Sequence, residues 1–169
     1  EGRSGLGPIT RFDATGWGCR ASGEVEGFDP VAELGAKQAR RSARFVQFAR
    51  VAAREAVEQA GLGDAAGMDR DRWGVFIGSA IGGIPEICDS HTDVVERGPR
   101  GVSPLFIPSA LANIAAGQVA ITYGARGPSS CPTTACAAGN HAIGMGFEAI
   151  QLGSVDVAIV GGAEAAIIP

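Results

Sequence analysis

Between Pro128 and Val160 an extended run, an apolar helix and an apolar strand follow one another almost without interruption. Pro128 to Ala135 reads as short and extended. Cys136 to Leu152 reads as a helix stopped by Gly153, and Val155 to Val160 as a buried strand that closes on Gly161 and Gly162. The helix is apolar nearly all round, with Ala142, Ile143, Met145, Phe147, Ala149 and Ile150. It also holds Gly139, Gly144 and Gly146, although each interior glycine costs about 1 kcal/mol against alanine in a helix. Such a helix is predicted to lie buried, with neighbouring backbones close against its glycines. Strand, helix and strand in this order form a βαβ unit, which implies a parallel or mixed sheet covered on both faces.

The upstream chain supplies matching elements. Asp29 and Pro30 form a helix-start signal, a capping carboxylate with proline in the first turn. One long helix is predicted from Ala36 to Ala60, its apolar side carrying Phe45, Phe48, Ala49, Ala53 and Val57. Arg40, Arg44, Gln47, Arg54 and Glu58 fall on the other side, and Gly61 provides a stop. Trp73 to Ile77 reads as a buried strand running into the turn Gly78 to Gly83. Ile84 to Glu96 reads as a helix, and Pro108 to Tyr123 as one or two short helices ending at Gly124. The first 29 residues are glycine-rich and irregular, with a strand-like piece at Arg20 to Val25. With 169 residues, 46% hydrophobic and 19% charged, the chain has the material of one globular domain, not of a disordered segment.

Charge and composition exclude several functions. The net charge of -4 gives no basic face for nucleic acid. No apolar run approaches the roughly 18 residues of a membrane-spanning helix. Cys19, Cys88, Cys131 and Cys136 lack the spacing of a disulfide framework or a zinc knuckle, and read as reduced, cytosolic thiols. With two histidines, a histidine-rich metal site is not expected. The Gly78 to Gly83 turn fits neither the phosphate-loop nor the dinucleotide pattern; a loop hugging a neighbouring backbone or an apolar ligand is expected instead. The chain starts at Glu1 without a methionine and stops at Pro169 directly after an apolar run, so both ends read as cuts in a longer protein.

Cys136 holds the position with most chemical potential. It ends an extended segment and opens a helix, where unpaired N–H groups and the helix dipole favour an anion. The same N–H groups can stabilise an oxyanion on a bound acyl group, and a sharp strand-to-helix turn lined by small residues presents a nucleophile to substrate. A small buried hydrophobe is the alternative, and the residues alone leave both open. His141 lies five residues on, about 140° around the helix, and reads as structural. His91 reads as solvated, and Cys131 as a packing residue of the incoming strand.

The segment Gly127 to Gly144, with Ala135, Cys136 and Ala137 at its centre, resembles the active-site segment of the β-ketoacyl-ACP synthases, the condensing enzymes of fatty-acid and polyketide synthesis. Ser4 to Asp13, Ile77 to Gly83, Gly98 to Pro104, Asn113 to Gly117 and Asp156 to Glu164 resemble the type II elongating synthase in the same order. The resemblance implies an α/β chain with a thiolase-like fold, its mixed β-sheet layered with helices. Residues 1–169 would supply most of the N-terminal half, cut at both ends. It implies Cys136 as the nucleophile that takes an acyl group from acyl-ACP. A decarboxylative condensation with malonyl-ACP would follow, needing neither metal nor other cofactor.

The resemblance further implies acyl carrier protein as partner, a homodimer, a cytoplasmic location, and catalytic histidines supplied by the other half. It places Ile81 on the wall of an apolar acyl tunnel, and brings Phe106 and Ile107 in from the partner subunit. For all three, ordinary core packing is the alternative. Two other functions are weighed. A non-catalytic chain-length-factor-like partner would typically lack the cysteine, and a biosynthetic thiolase would use acyl-CoA.

Overall fold

The computed structural model describes residues 2–63 and 67–169. A small antiparallel pair, β1 (Leu6–Pro8) and β2 (Ala21–Gly23), opens the chain. Three helices follow: α1 (Pro30–Leu34), α2 (Ala36–Arg41) and α3 (Arg44–Gln59). Next come β3 (Trp73–Gly78), α4 (Ile84–Arg97), α5 (Phe106–Ala110) and α6 (Ile114–Tyr123). The chain closes with β4 (Ser129–Ser130), α7 (Ala138–Gln151) and β5 (Val157–Gly162). The central sheet has the order β4-β3-β5 and is parallel throughout, with Phe76 opposite Ser130 and Gly78 opposite Gly162. Among the described residues antiparallel pairing is confined to β1 and β2. Among the described residues no helix is long and apolar enough to cross a membrane.

Strand alternation divides the sheet into two unequal faces. Trp73, Val75 and Ile77 of β3, with Ile159 of β5, point to one side. There they build the main core with Phe45, Val46, Ala49, Ala53 and Val57 of α3 and Ala115, Ala116 and Val119 of α6. Trp73 is fully buried, with Arg70 stacked 3.9 Å above its ring. On the opposite face, which also carries Phe76 and Val160, the contact with α7 runs through small residues. Ala138, Ala142 and Gly146 recur every four residues along α7 and are its buried positions, one stripe on one face of a helix. A Cβ on Gly78 would lie 2.3 Å from the Ala138 carbonyl oxygen, and one on Gly146 would lie 2.3 Å from Val160 Cγ1. The helix therefore lies almost backbone to backbone on the sheet.

Two sequence expectations change here. The single helix from Ala36 to Ala60 is broken: Ser42 and Ala43 are extended, with ψ of 132° and 156°. Gln47 explains the break. Its side-chain amide donates to the carbonyls of Ala39 and Ser42, both at 2.9 Å, so it caps α2 from within α3 and is buried there. Periodicity had placed it on the solvent side. The other change concerns α7, whose outer apolar residues Ile143, Phe147 and Ile150 are exposed, Phe147 by 61%. Of its glycines, Gly139 and Gly146 meet β5, whereas Gly144 has open space around it.

Several local expectations hold. The Asp29 carboxylate caps α1 by accepting from the N–H groups of Val31 and Ala32. Gly61, at φ 69°, ends α3 with its N–H on the Glu58 carbonyl while the Leu62 N–H reaches Val57. The strand expected at Val155 to Val160 begins two residues later, at Val157. Asp156 instead anchors its entrance, accepting two hydrogen bonds from the Arg72 guanidinium, each 2.5 Å, while Arg72 also donates to the Gly153 carbonyl. The Arg72 hydrogen bond holds the Asp156 carboxyl below its ordinary value.

The close seam on α7 predicts a graded response. Gly78→Ala must push against backbone, whereas Gly146→Ala pushes against a valine side chain that can rotate. In the intact protein Gly78→Ala is expected to cost roughly 1–3 kcal/mol of stability and Gly146→Ala less. Urea unfolding midpoints check the order of the two.

Candidate active site

The carboxyl ends of β3 and β5 finish side by side, since Gly78 pairs with Gly162 and the Ala163 N–H continues the ladder to the Gly78 carbonyl at 3.0 Å. From β4 the chain runs through Cys131 to Thr134 and then turns abruptly. Ala135 has φ 49°, the only positive value at a non-glycine residue among those described. The left-handed region costs an L-residue roughly 1–2 kcal/mol, and such strain concentrates at functional turns. Ala135–Ala137 form one 3₁₀ turn, closed by the Ala137 N–H on the Thr134 carbonyl at 3.0 Å, and α7 begins at Ala138. Cys136 is the middle residue of that turn, and it is exposed. The helix thus starts within two residues of the predicted position.

Cys136 borders a cleft of about 320 Å³. Ala135 and Gly139 line it with Cys136, as do Ser79 and Ala80 of the loop after β3 and Glu164 of the segment after β5; small residues at the strand ends and the start of α7 make up the rest. This loop is pinned from two sides. Gly82 and Gly83 approach α5 and the segment beyond it so closely that a Cβ would lie 2.8 Å from Ala112 Cα or 2.1 Å from the Ser109 carbonyl oxygen. That is the close backbone approach expected from the glycines. On the other side, Glu164 Oε2 accepts from the N–H groups of Ala80 at 2.8 Å and Ile81 at 2.9 Å, and from Ser79 Oγ at 3.2 Å. Ser79 Oγ in turn accepts from the Gly82 N–H at 3.0 Å. The loop's N–H groups that a phosphate would need are already bound to a carboxylate of the same chain.

The sequence model described as Beta-ketoacyl synthase, N-terminal domain, matches residues 1–169. The chain belongs to the β-ketoacyl synthase family. It is 46% identical over 169 residues to a 3-oxoacyl-[acyl-carrier-protein] synthase 2 of Synechocystis sp., a match covering 100% of this chain and 40% of that relative. It is 43% identical over 167 residues to the synthase of the same name from Staphylococcus aureus, covering 99% of this chain and 40% of the relative. The chain thus spans about 40% of the length of these curated relatives.

Two solved structures share the fold. The ishigamide ketosynthase/chain length factor matches with a TM-score of 0.80 and 32% identity, over 98% of this chain and 41% of that one. A ketosynthase bound to a hexaketide, in complex with its type II polyketide acyl-carrier protein, matches with 0.78 and 26%, over 86% and 42%. The synthase domain has their thiolase-like fold.

Within the domain the residues expected at the site separate. Ile81 sits on the Gly78 to Gly83 loop, 52% exposed, one residue beyond those that line the Cys136 cleft. Phe106 lines a different cleft, of about 190 Å³, with Arg40, Glu86, Asp89 and Ser109. Ile107 is 57% exposed. His141 is exposed and its Nδ1 lies 3.3 Å from Thr134 Oγ1, a contact across the turn that precedes α7. His91 is exposed on α4.

Glu164 and Ser79 were not singled out by residue chemistry. Their only signal was position, each just past the end of a buried strand on a glycine. Cys131 lies just past β4 rather than within it, with its thiol against the Ser79 N–H.

Burial raises the Cys131 thiol above its ordinary value, more than the Ser79 N–H lowers it. Less thiolate is therefore present at any given pH. The pH–rate curve for iodoacetamide labelling of Cys131 is expected to be displaced to higher pH than that of an unhindered cysteine peptide. Peptide mapping across pH 7 to 10 checks this; a Cys131 curve that overlays that of the free peptide contradicts it.

Proposed function

We propose that the intact protein is a β-ketoacyl-ACP synthase and that Cys136 carries its acyl group. The observation that bears this reading is the strained turn: Ala135 at φ 49° lifts an exposed Cys136 onto the mouth of a cleft at the start of a 14-residue helix. The Cys136 thiolate attacks the thioester carbonyl of acyl-ACP. A C–S bond forms to Cys136, the bond to the carrier's thiol breaks, and that thiol leaves with a proton. Malonyl-ACP then loses carbon dioxide, and its carbanion equivalent attacks the acyl carbon. The new C–C bond forms as the Cys136 thiolate is released.

The Cys136 N–H serves as one oxyanion donor. The second donor and the histidines that activate malonyl-ACP belong to the part of the protein outside these residues. Carrier protein as partner is supported by the solved complex of a similar ketosynthase with its acyl-carrier protein. A cytoplasmic homodimer is the matching physical setting. In it, Ile81 bounds the acyl chain, and Phe106 and Ile107 reach in from the partner subunit. A chain-length-factor role is disfavoured because Cys136 is present; a thiolase would accept acyl-CoA in place of acyl-ACP.

Acyl-ACP incubated with the intact protein is expected to add one acyl mass to the peptide containing Cys136. Cys136→Ala is expected to abolish that adduct and to lower condensation with malonyl-ACP by about a thousandfold or more. An adduct on Cys19, Cys88 or Cys131, or transfer from acyl-CoA as fast as from acyl-ACP, contradicts the reading.

Ile81→Phe tests the pocket. The added ring would occupy room that the far end of a long acyl chain needs. kcat/KM is expected to fall for the longest acyl chains and to hold for short ones. A series of acyl-ACP lengths gives the answer, and equal loss at every length places Ile81 in the fold rather than the pocket.

A further inference from the structure

We propose that Glu164 is a positioning residue for the acyl group on Cys136: its carboxylate fixes the Ser79 to Gly82 turn as one wall of the cleft that Cys136 lines. The inference rests on the reading of Cys136 as the acyl carrier and adds to it a residue that makes no bond to the reacting atoms. Four observations lead to it.

Glu164 reaches its place by chain geometry, because the β3–β5 ladder ends with the Ala163 N–H on the Gly78 carbonyl and leaves the next side chain beside the loop that departs from β3. One carboxylate oxygen then collects three donors, the N–H groups of Ala80 and Ile81 and the hydroxyl of Ser79; the other accepts the Ala165 N–H at 3.2 Å. The Ser79 side chain is buried, 2% exposed, and passes the restraint on to Gly82, which sits at φ 70°. Glu164, Ser79 and Ala80 all border the same cleft as Cys136.

The anchoring is of a kind that matters for substrate. Ala80 and Ile81 offer two adjacent backbone donors; an anionic or carbonyl group entering the cleft would compete for them if they were free. With Glu164 on them, the turn is held by charge-assisted hydrogen bonds, the stronger class, and its donors are withdrawn from substrate. A longer acyl chain touches more of this wall than a short one, so loss of the anchor is felt in proportion to chain length. The carboxylate acts through the loop rather than on the thioester, and its removal weakens binding more than the chemical step.

The test uses the intact protein and two variants. Glu164→Ala is expected to lower kcat/KM for long-chain acyl-ACP about tenfold, through KM, while short-chain transfer stays within about twofold. Glu164→Gln keeps a carbonyl oxygen at the same reach for the Ala80 and Ile81 N–H groups, and is expected to restore most of the loss. Where Glu164→Ala fails to yield folded protein, Glu164→Asp replaces it, since a carboxylate one methylene shorter cannot span the same distance. Equal loss at all lengths, no loss at any, or failure of Gln to rescue overturns the proposal.

A second measurement is independent of the reaction. The Ser79 N–H lies against the Cys131 thiol, and burial and the Glu164 charge raise that thiol. Glu164→Ala and Glu164→Gln remove the charge alike, so a loosened turn is expected to make Cys131 alkylation several-fold faster in Glu164→Ala than in Glu164→Gln. Should the wild-type protein transfer no acyl group at all, the reading of Cys136 fails, and this comparison alone judges the anchor: equal rates in Glu164→Ala and Glu164→Gln overturn it.

Discussion

The approach of α7 to the sheet is the constraint on which the remaining structure depends. Ordinary helix-to-sheet packing leaves a layer of side chains between backbones. Here Gly78 and Gly162 on the strands meet Ala138 and Gly139 on the helix with no side chain between them larger than a methyl. Small residues on both surfaces give up hydrophobic area per residue, and the glycines add conformational entropy to be overcome on folding. What the seam supplies is position. It presses the first turn of α7 against the ends of β3 and β5, and so sets Cys136 beside the Gly78 to Gly83 loop. The larger apolar burial that stabilises the domain lies on the other face, where Trp73, Phe45, Val75 and Val119 are fully or almost fully enclosed. Burial of side chains of that size contributes roughly 1.5–3 kcal/mol each. Most of the large buried side chains thus lie on one face of the sheet, and the seam that places Cys136 lies on the other, beside Phe76.

A sheet edge with a tight helix fixes one wall of the cleft; the other wall is a loop, and loops need separate restraint. Two kinds are present. Gly82 and Gly83 admit close contact with the backbone of residues 109–112, a steric restraint that only glycine allows. Glu164 and Ser79 add a polar one. The first holds the far side of the turn and the second its near side, so the short segment between them has little freedom left.

How much of this was legible in the sequence differs by the range of the interactions that decide it. Trp73 to Ile77 was visible as a strand because five residues buried in succession leave a continuous apolar run. The turn at Cys136 was visible because it is local: an extended stretch, small residues and a helix start lie within ten positions. The break between α2 and α3 was not visible, since Gln47 is polar by type and reveals its capping role only when Ala39 and Ser42 are brought to it. Glu164 failed in the same way at longer range, its partners lying 83 to 85 residues earlier. The outward apolar face of α7 was misplaced for a related reason. Periodicity identifies an apolar surface, but not whether these residues cover it.

Topology explains why the pieces of the site converge where they do. From β3 the chain moves to β4 through α4, α5 and α6, and α6 lies on the face of Trp73 and Val75. From β4 it returns across β3 to β5 through α7, which lies on the opposite face. Parallel crossovers are right-handed, so reversing the direction of travel along the sheet must also reverse the face on which the connecting helix lies. The reversal opens a gap at the carboxyl ends of the strands, the place where open α/β sheets bind ligands. The loop leaving β3, the turn entering α7 and the segment leaving β5 all border that gap. One contributes Ser79 and Ala80, the next Cys136, and the last Glu164. The cleft is therefore a consequence of strand order, and the sequence determines only what chemistry stands in it.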